Sequence, residues 1–280
     1  MQPGIITIVG AGLIGGSLGL AAKERGLART VRGIGRQRPS LERARAVGAI
    51  DEGFLEPGPA LKGANLVIFC TPVDRIAEQI LAYAPFCLPG TLLTDAGSTK
   101  GSIVAAVEEK LPAGIAFVGS HPLAGSEKRG ADHADAKLFE GRLTVVTRTP
   151  RTDPNALEKI VAFWQAIGAR VTVMAPADHD RALAMTSHLP HLLAAALAGM
   201  LPPELYDLTA TGFRDTTRIA AGDPGLWTAI FAHNRDALLE ALARFDQGAR
   251  QLQAALETRN WPEVESLLRQ AQKVRDALGN

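Results

Sequence analysis

Three polar clusters in this 280-residue chain have the residue types and spacing needed for proton transfer and for recognition of an acid. Asp95-Ala-Gly-Ser98-Thr-Lys100 and Ser120-His121-Pro122-Leu-Ala-Gly-Ser126-Glu127 each follow an apolar run, and Ser187-His188-Leu-Pro190-His191 lies inside a third. Imidazole titrates near neutrality, so His121, at a strand end beside a turn, suits the removal of a proton from a hydroxyl group. His188 and His191 are three apart and share a helical face, and Pro190 between them should kink the helix and free a carbonyl. Such a pair could begin a metal site, but no HExxH, cysteine pair or carboxylate cluster supplies the remaining ligands by spacing. The pair therefore reads as hydrogen-bonding groups for a polar substrate, and no metal is expected. Further on, Gly212-Phe-Arg214-Asp215-Thr-Thr-Arg218 sets two arginines four apart, with Asp215 placed to brace Arg218 from one turn earlier. An arginine held in this way binds carboxylates well.

A second kind of chemistry is written near the N-terminus. Gly10-Ala-Gly12-Leu13-Ile14-Gly15 follows the run IITIV and leads into LIGGSLGLAAKERG, the strand, turn and helix context of a dinucleotide-binding loop. One glycine permits the tight turn, a second clears the face that meets the pyrophosphate, and a third lets helix and strand pack closely. A flavin nucleotide would fit the same loop, though a nicotinamide dinucleotide suits the remaining polar clusters better. The end of the second strand carries no Asp or Glu to grip a ribose 2′-hydroxyl. It carries Arg32, Arg36 and Arg38 instead, with Ser40 as a further donor, which favours NADP over NAD. Thr71 and Pro72 close another apolar run, where dinucleotide folds place their ligand. Thr71 is a cofactor neighbour there, or a helix cap.

The elements that must position these groups follow from periodicity. Strand-like runs occupy 5–9, 30–34, 66–70, 91–94, 116–119, 143–147 and 170–174, mostly separated by helix-like segments, which describes a largely parallel sheet covered by helices. Ser40 before LERARA and Asp153-Pro154 read as helix starts. After Met174 the pattern is helical throughout, over 177–201, then a long helix opened by Asp223-Pro224 and a shorter one after Trp261-Pro262. The expected architecture is α/β: a Rossmann-type dinucleotide-binding domain over 1–174 followed by an all-α domain over 175–280.

Composition narrows the partners. Thirty basic residues against 29 acidic ones, a net charge of +1, give no basic surface for nucleic acid or anionic membrane, so a small molecule is the expected partner. The most continuous apolar stretch, 192–201, is half a bilayer span, and no basic leader precedes the first strand, which reads as a cytoplasmic protein. Cys70 and Cys87 read as reduced structural thiols.

Taken together, GAGLIGGSL, DAGSTK, GSHPLAGSE, TSHLPHLLAAAL and GFRDTTRIAAGDPGLW resemble, in this order, the prephenate and arogenate dehydrogenase family. The resemblance implies oxidative decarboxylation of a cyclohexadienyl acid with hydride transfer to NAD(P). It implies that His121 is the catalytic base and that Ser98 positions substrate and base. It further implies that His188 and His191 line the substrate pocket, that Arg218 supported by Asp215 grips a substrate carboxylate, and that Glu127, beside Ser126, and Trp227 gate the pocket. By the same resemblance the C-terminal helices form an intertwined homodimer, and the Trp227 segment reaches the partner's active site. Two other readings fit the nucleotide loop by itself. A β-hydroxyacid dehydrogenase would be expected to use a lysine on the helical domain, yet no lysine occurs between Lys159 and Lys273. A dinucleotide sensor without turnover would not require the His, Ser and Arg motifs.

Overall fold

The computed structural model describes residues 4–125 and 128–279. Strands alternate with helices as the apolar periodicity requires: β1 (Gly4–Val9), α1 (Leu13–Glu24), β2 (Ala28–Ile34), α2 (Arg38–Ala46), β3 (Glu52–Phe54), α3 (Pro57–Leu61), β4 (Leu66–Phe69), α4 (Val73–Tyr83), β5 (Leu92–Asp95), α5 (Gly101–Val107) and β6 (Ala116–Val118). These six strands form one parallel sheet in the order β3-β2-β1-β4-β5-β6, so the winding reverses between β1 and β4. At such a switch point the loops leaving the strands diverge and open a crevice at the carboxyl edge. The chain then enters a smaller sheet, β7 (Ser120–Pro122), β8 (Leu143–Thr147) and β9 (Arg170–Met174), with β7 antiparallel to β8 and α6 (Pro154–Ala166) between β8 and β9. The three-residue strands β3 and β7 were too short to show a period and are absent from the sequence reading.

Side chains alternate across the large sheet with period two. Ile6, Ile8, Leu66 and Ile68 face a core completed by Leu18, Phe139, Ile160 and Trp164, while Val9, Val67, Phe69 and Leu93 face Ile76, Ile80, Ile103 and Val107. Helix starts follow local chemistry. Asp153 Oδ1 accepts from the Ala156 N–H at 2.7 Å ahead of Pro154, as expected. Ser40, by contrast, is not a cap. Helix α2 begins three residues earlier than that cap implies, with Gln37 at the cap and Pro39 in the first turn, and the Ser40 hydroxyl accepts from Arg43 at 3.2 Å.

Beyond β9 the chain is helical: α7 (Pro176–Leu183), a π-helical turn over Ala184–His188, α8 (Leu189–Gly199), α9 (Thr211–Thr217), α10 (Pro224–His233), α11 (Arg235–Glu257) and α12 (Trp261–Ala277). The expected long helix after Asp223-Pro224 is thus two helices, divided at Asn234. Pro190 lacks the N–H that would close the preceding turn, and the π-turn directly before α8 takes up the mismatch. The run Pro176–Gly199 is 24 residues long and contains an 18-residue stretch of mean hydropathy 1.2, enough by length and composition to cross a membrane and longer than the apolar stretch read from the sequence. Its buried positions include His179, Asp180, His188 and His191, all tied into the chain around them.

Two compact units result, residues 1–234 and 235–280. The second consists of α11 and α12, which pack on each other through a turn in which Arg259 adopts a φ of 53°. Within the first, the fully buried Trp164 donates from Nε1 to Ser120 Oγ at 2.9 Å, and this bond pins β7 beneath the site. Trp164→Phe is expected to lower the urea midpoint by the equivalent of about 1–3 kcal/mol, with an unchanged denaturant slope, because a buried donor–acceptor pair is lost without unfolding its surroundings.

Candidate active site

The carboxyl ends of β1, β4, β5 and β6 carry the glycine loop, Thr71-Pro72, Asp95–Lys100 and Ser120-His121, and the arginines follow β2. After β1, Gly10 turns with φ +92°, and a Cβ there would lie 3.0 Å from the Cys70 carbonyl oxygen and from Thr71 Cγ2. A Cβ on Gly15 would lie 2.2 Å from the Gly10 carbonyl oxygen, so helix α1 can approach β1 only with glycine there. At Gly12, which caps α1 without a side chain, a Cβ would meet nothing within 4 Å. Open space above the unpaired amides of a helix start is what a pyrophosphate requires, and Leu13, Ile14 and Gly15 supply those amides. The three glycines therefore divide the work as read from the sequence, and the loop fits a dinucleotide.

Around the rim, Thr71 lies against Gly10 and its hydroxyl donates to Gln79 Oε1 at 2.5 Å, while the cap of α4 is Pro72. Arg32 is spent on the sheet edge, bound to Glu52 at 3.0 Å and to the Lys62 carbonyl at 2.8 Å. Arg36 and Arg38 are exposed and bond to no group among the described residues.

The second half of the site is built on two buried carboxylates. Asp95, at the end of β5, accepts from the Ser120 N–H at 3.0 Å and the Gly97 N–H at 2.9 Å, and pairs with the fully buried Lys100 ammonium. Asp180, on α7, accepts from the Lys100 N–H and the Gly101 N–H, each at 2.8 Å, and from His179 Nδ1 at 2.7 Å. A Cβ on Gly101 would lie 2.8 Å from Asp180 Oδ2, so the turn reaches this carboxylate only as glycine. His179 Nε2 lies 2.9 Å from His121 Nδ1. The anionic end of the chain sets the tautomers: Nδ1–H of His179 faces Asp180, its Nε2 lone pair accepts from His121 Nδ1–H, and His121 Nε2 is left with a lone pair. On the other side, Asn234 donates to the Asp180 carbonyl at 2.8 Å and to His188 Nδ1 at 2.9 Å. His191 stacks on Trp227 with ring centroids 3.5 Å apart and planes 13° apart, and its buried Nδ1 has no partner. A Cβ on Gly222 would strike both rings, at 2.5 Å from the indole nitrogen and 2.9 Å from His191 Cε1.

Models of the prephenate dehydrogenase nucleotide-binding domain and dimerization domain match residues 18–173 and 175–270. The chain belongs to the prephenate dehydrogenase family. It is 34% identical to cyclohexadienyl dehydrogenase of Zymomonas mobilis over 98% of its length and 95% of that protein's. The crystal structure of prephenate dehydrogenase from Aquifex aeolicus in complex with hydroxyphenyl propionate and NAD+ superposes with a TM-score of 0.93 at 30% identity, covering 99% of each chain. Arogenate dehydrogenase of Synechocystis superposes with a TM-score of 0.85 at 33% identity, over 98% of this chain and 99% of that one.

Within this prephenate dehydrogenase framework the residues named from the sequence separate into groups. His121, His188, His191 and Trp227 come together. The half-buried Ser98 bonds to nothing among the described residues, and its hydroxyl is free for a ligand. Asp215 does not brace Arg218: helix α9 stops at Thr217, Arg218 opens a tighter turn, and the two exposed side chains form no ion pair among the described residues. The turn itself packs on α8, the helix of His191. Trp227 stacks on His191 of the same chain. Ser126 and Glu127 lie outside the described residues. Sequence reading missed His179, Asp180 and Asn234 as parts of the site, and gave Asp95 and Lys100 no role beyond membership of a polar cluster. The adjacent His179-Asp180 pair, two turns ahead of the His188-His191 pair on the same helical run, was the available signal.

Electrostatics follow from this packing. Burial, and then the neighbouring His179, Lys100 and His188, hold the His121 pKa well below the ordinary imidazole value. Burial pushes His188 down to about 4 and lowers His191. Burial would raise Asp180, but the bonds from His179 and from the Lys100 and Gly101 amides outweigh it and keep this carboxyl below the usual range.

Two outcomes follow. Gly12→Ala should leave the thermal midpoint in place and weaken reduced-cofactor binding, followed by fluorescence titration, by roughly tenfold or more, whereas Gly15→Ala should lower the midpoint itself. For His188 the unfolded chain takes up a proton near pH 6.5 and the folded chain only near 4. Stability is therefore complete above pH 6.5 and falls as pH drops towards 4, by on the order of 3 kcal/mol from this group. Urea midpoints across that window should show the slope, and His188→Gln should flatten it.

Proposed function

We propose that the chain oxidises and decarboxylates a cyclohexadienyl acid, prephenate or arogenate, with His121 as the base that takes the ring hydroxyl proton. The observation that carries the reading is the bond sequence Asp180–His179–His121, which leaves the lone pair on His121 Nε2. A nicotinamide dinucleotide held at Gly10, Gly12 and Gly15, with Thr71 and Pro72 beside it, supplies the hydride acceptor. As His121 becomes imidazolium, His179 accepts its Nδ1–H and Asp180 neutralises the charge, so proton transfer need not wait for solvent. Ser98 is assigned to orient the hydroxyl, and His188, His191 and Trp227 to form the pocket wall. Arg218 on the α8 face is assigned to receive a carboxylate. Loss of the ring carboxylate as carbon dioxide restores aromaticity and drives the step forward. Exposed Arg36 and Arg38, with no carboxylate nearby on β2, favour NADP through its 2′-phosphate. The C-terminal unit is assigned to a homodimer, which the described dimerization role of the second matching domain supports.

Initial rates with prephenate and arogenate, each crossed with NAD and NADP and followed at the absorbance of the reduced cofactor, test the reading, and no turnover in all four would sink it. His121→Ala and His179→Ala should each lower kcat by about a hundredfold or more with smaller changes in KM. Because the base works only when neutral and its pKa is depressed, kcat/KM should hold to below pH 6.5 and fall on the acid side. Arg36→Ala combined with Arg38→Ala should raise KM for NADP and leave that for NAD nearly unchanged.

A further inference from the structure

Asn234 closes α10 and breaks the helical run before α11, with φ −126° and ψ 31°. Its side chain is only 5% exposed and is turned inward. The amide nitrogen lies 2.8 Å from the Asp180 carbonyl oxygen and 2.9 Å from His188 Nδ1. Reversing the amide would set its oxygen against a carbonyl, two acceptors with no proton between them, so the nitrogen must face inward. Both amide protons are then committed, and His188 Nδ1 must offer its lone pair. A neutral imidazole with a lone pair on Nδ1 carries its single proton on Nε2. That N–H finds no acceptor among the described residues, although the ring is only 1% exposed. The ring stands edge-on to Trp227, at 6.3 Å and 80°, and Trp227 covers His191. The wall of the site thus holds an unspent donor on His188 beside the unpaired His191 Nδ1. Burial keeps the His188 ring uncharged, with its pKa pushed down to about 4.

We infer that Asn234 is a positioning residue that locks His188 in the Nε2–H form and so presents a neutral hydrogen-bond donor to an oxygen of the bound acid. The inference rests on the proposed function in requiring that an acid occupies this wall. Asn234 touches no substrate itself. It acts through His188, and the same amide ties His188 to the residue that holds His179.

The test begins with long-range nitrogen–proton NMR of the intact labelled wild-type protein at pH 7, the His188 signals being assigned by their loss in His188→Gln. An Nε2–H pattern is expected, and an Nδ1–H pattern overturns the lock whatever the rates are. This measurement needs no altered protein and no turnover, so the lock is decided even if all substrates fail and the enzymatic reading falls with them. Kinetics then test the consequence. Asn234→Asp, which removes the donor to Nδ1, should displace the Nε2–H pattern and raise KM for the acid tenfold or more while kcat changes less than threefold. His188→Leu should raise KM similarly, and His188→Gln, whose amide can place a donor near the Nε2 position, should recover most of that loss. A wild-type KM in His188→Leu would overturn the donor role, with cofactor affinity and thermal midpoint measured alongside to show that each variant is folded.

Discussion

Asp180 is bound from three sides, and both histidine walls of the site hang on it. Its carboxylate takes two backbone N–H groups from the Lys100–Gly101 turn and one imidazole N–H from His179, while its backbone carbonyl takes the Asn234 amide. A buried carboxylate without such partners would be neutralised or expelled, since desolvating the charge costs several kcal/mol. With them it is a fixed anion from which hydrogen-bond polarity propagates outward. From the carboxylate, one branch ends in a lone pair at His121 Nε2; a separate branch starts at the Asp180 backbone carbonyl and ends, through Asn234, in a proton at His188 Nε2. The proposed base and donor are thereby set by two groups of one residue, and neither relies on its own titration to choose a tautomer.

The sheet makes this possible by delivering its polar chemistry to one edge. The reversal of winding between β1 and β4 opens the crevice in which the glycine loop lies. The ends of β5 and β6 place Asp95 and Ser120-His121 beside one another. Lys100 joins the two carboxylates, its ammonium on Asp95 and its backbone N–H on Asp180. A buried ion pair of this kind adds little net stability, but removal of either partner would strand a charge, and that constraint holds the turn in place. Glycine recurs at 15, 97, 101 and 119 because backbone, carboxylate or hydroxyl approaches each of these too closely for a Cβ.

The α7–α8 run couples the sheet to the pocket wall. The π-turn beside Pro190 brings His188 and His191 to the buried side together with His179 and Asp180. Gly222 lets the Arg218–Ala221 turn end beneath Trp227, so the indole can lie flat on His191. A pocket walled by stacked rings offers a flat apolar surface with polar atoms at its edges, which suits a six-membered ring bearing carboxylate and hydroxyl groups.

Local order in the sequence determined the alternation of strands and helices, the spacing of the three glycines, the absence of a ribose-gripping acid after β2, and His121 as the proposed base. Each depends on periodicity or on residues within one turn of each other, and the five motifs named the family from the same local information. Only the tertiary structure decided what orients that base. His179 and His121 are 58 positions apart, Asn234 and His188 are 46 apart, and no spacing rule joins residues that meet by packing of separate elements. The same reason undid the expected Asp215–Arg218 brace, which presumed that a local helix would continue, and the Ser40 cap, which presumed where one would start. Which nitrogen of an imidazole carries the proton is likewise a property of its neighbours in space, and the sequence holds it only through the fold that brings them together.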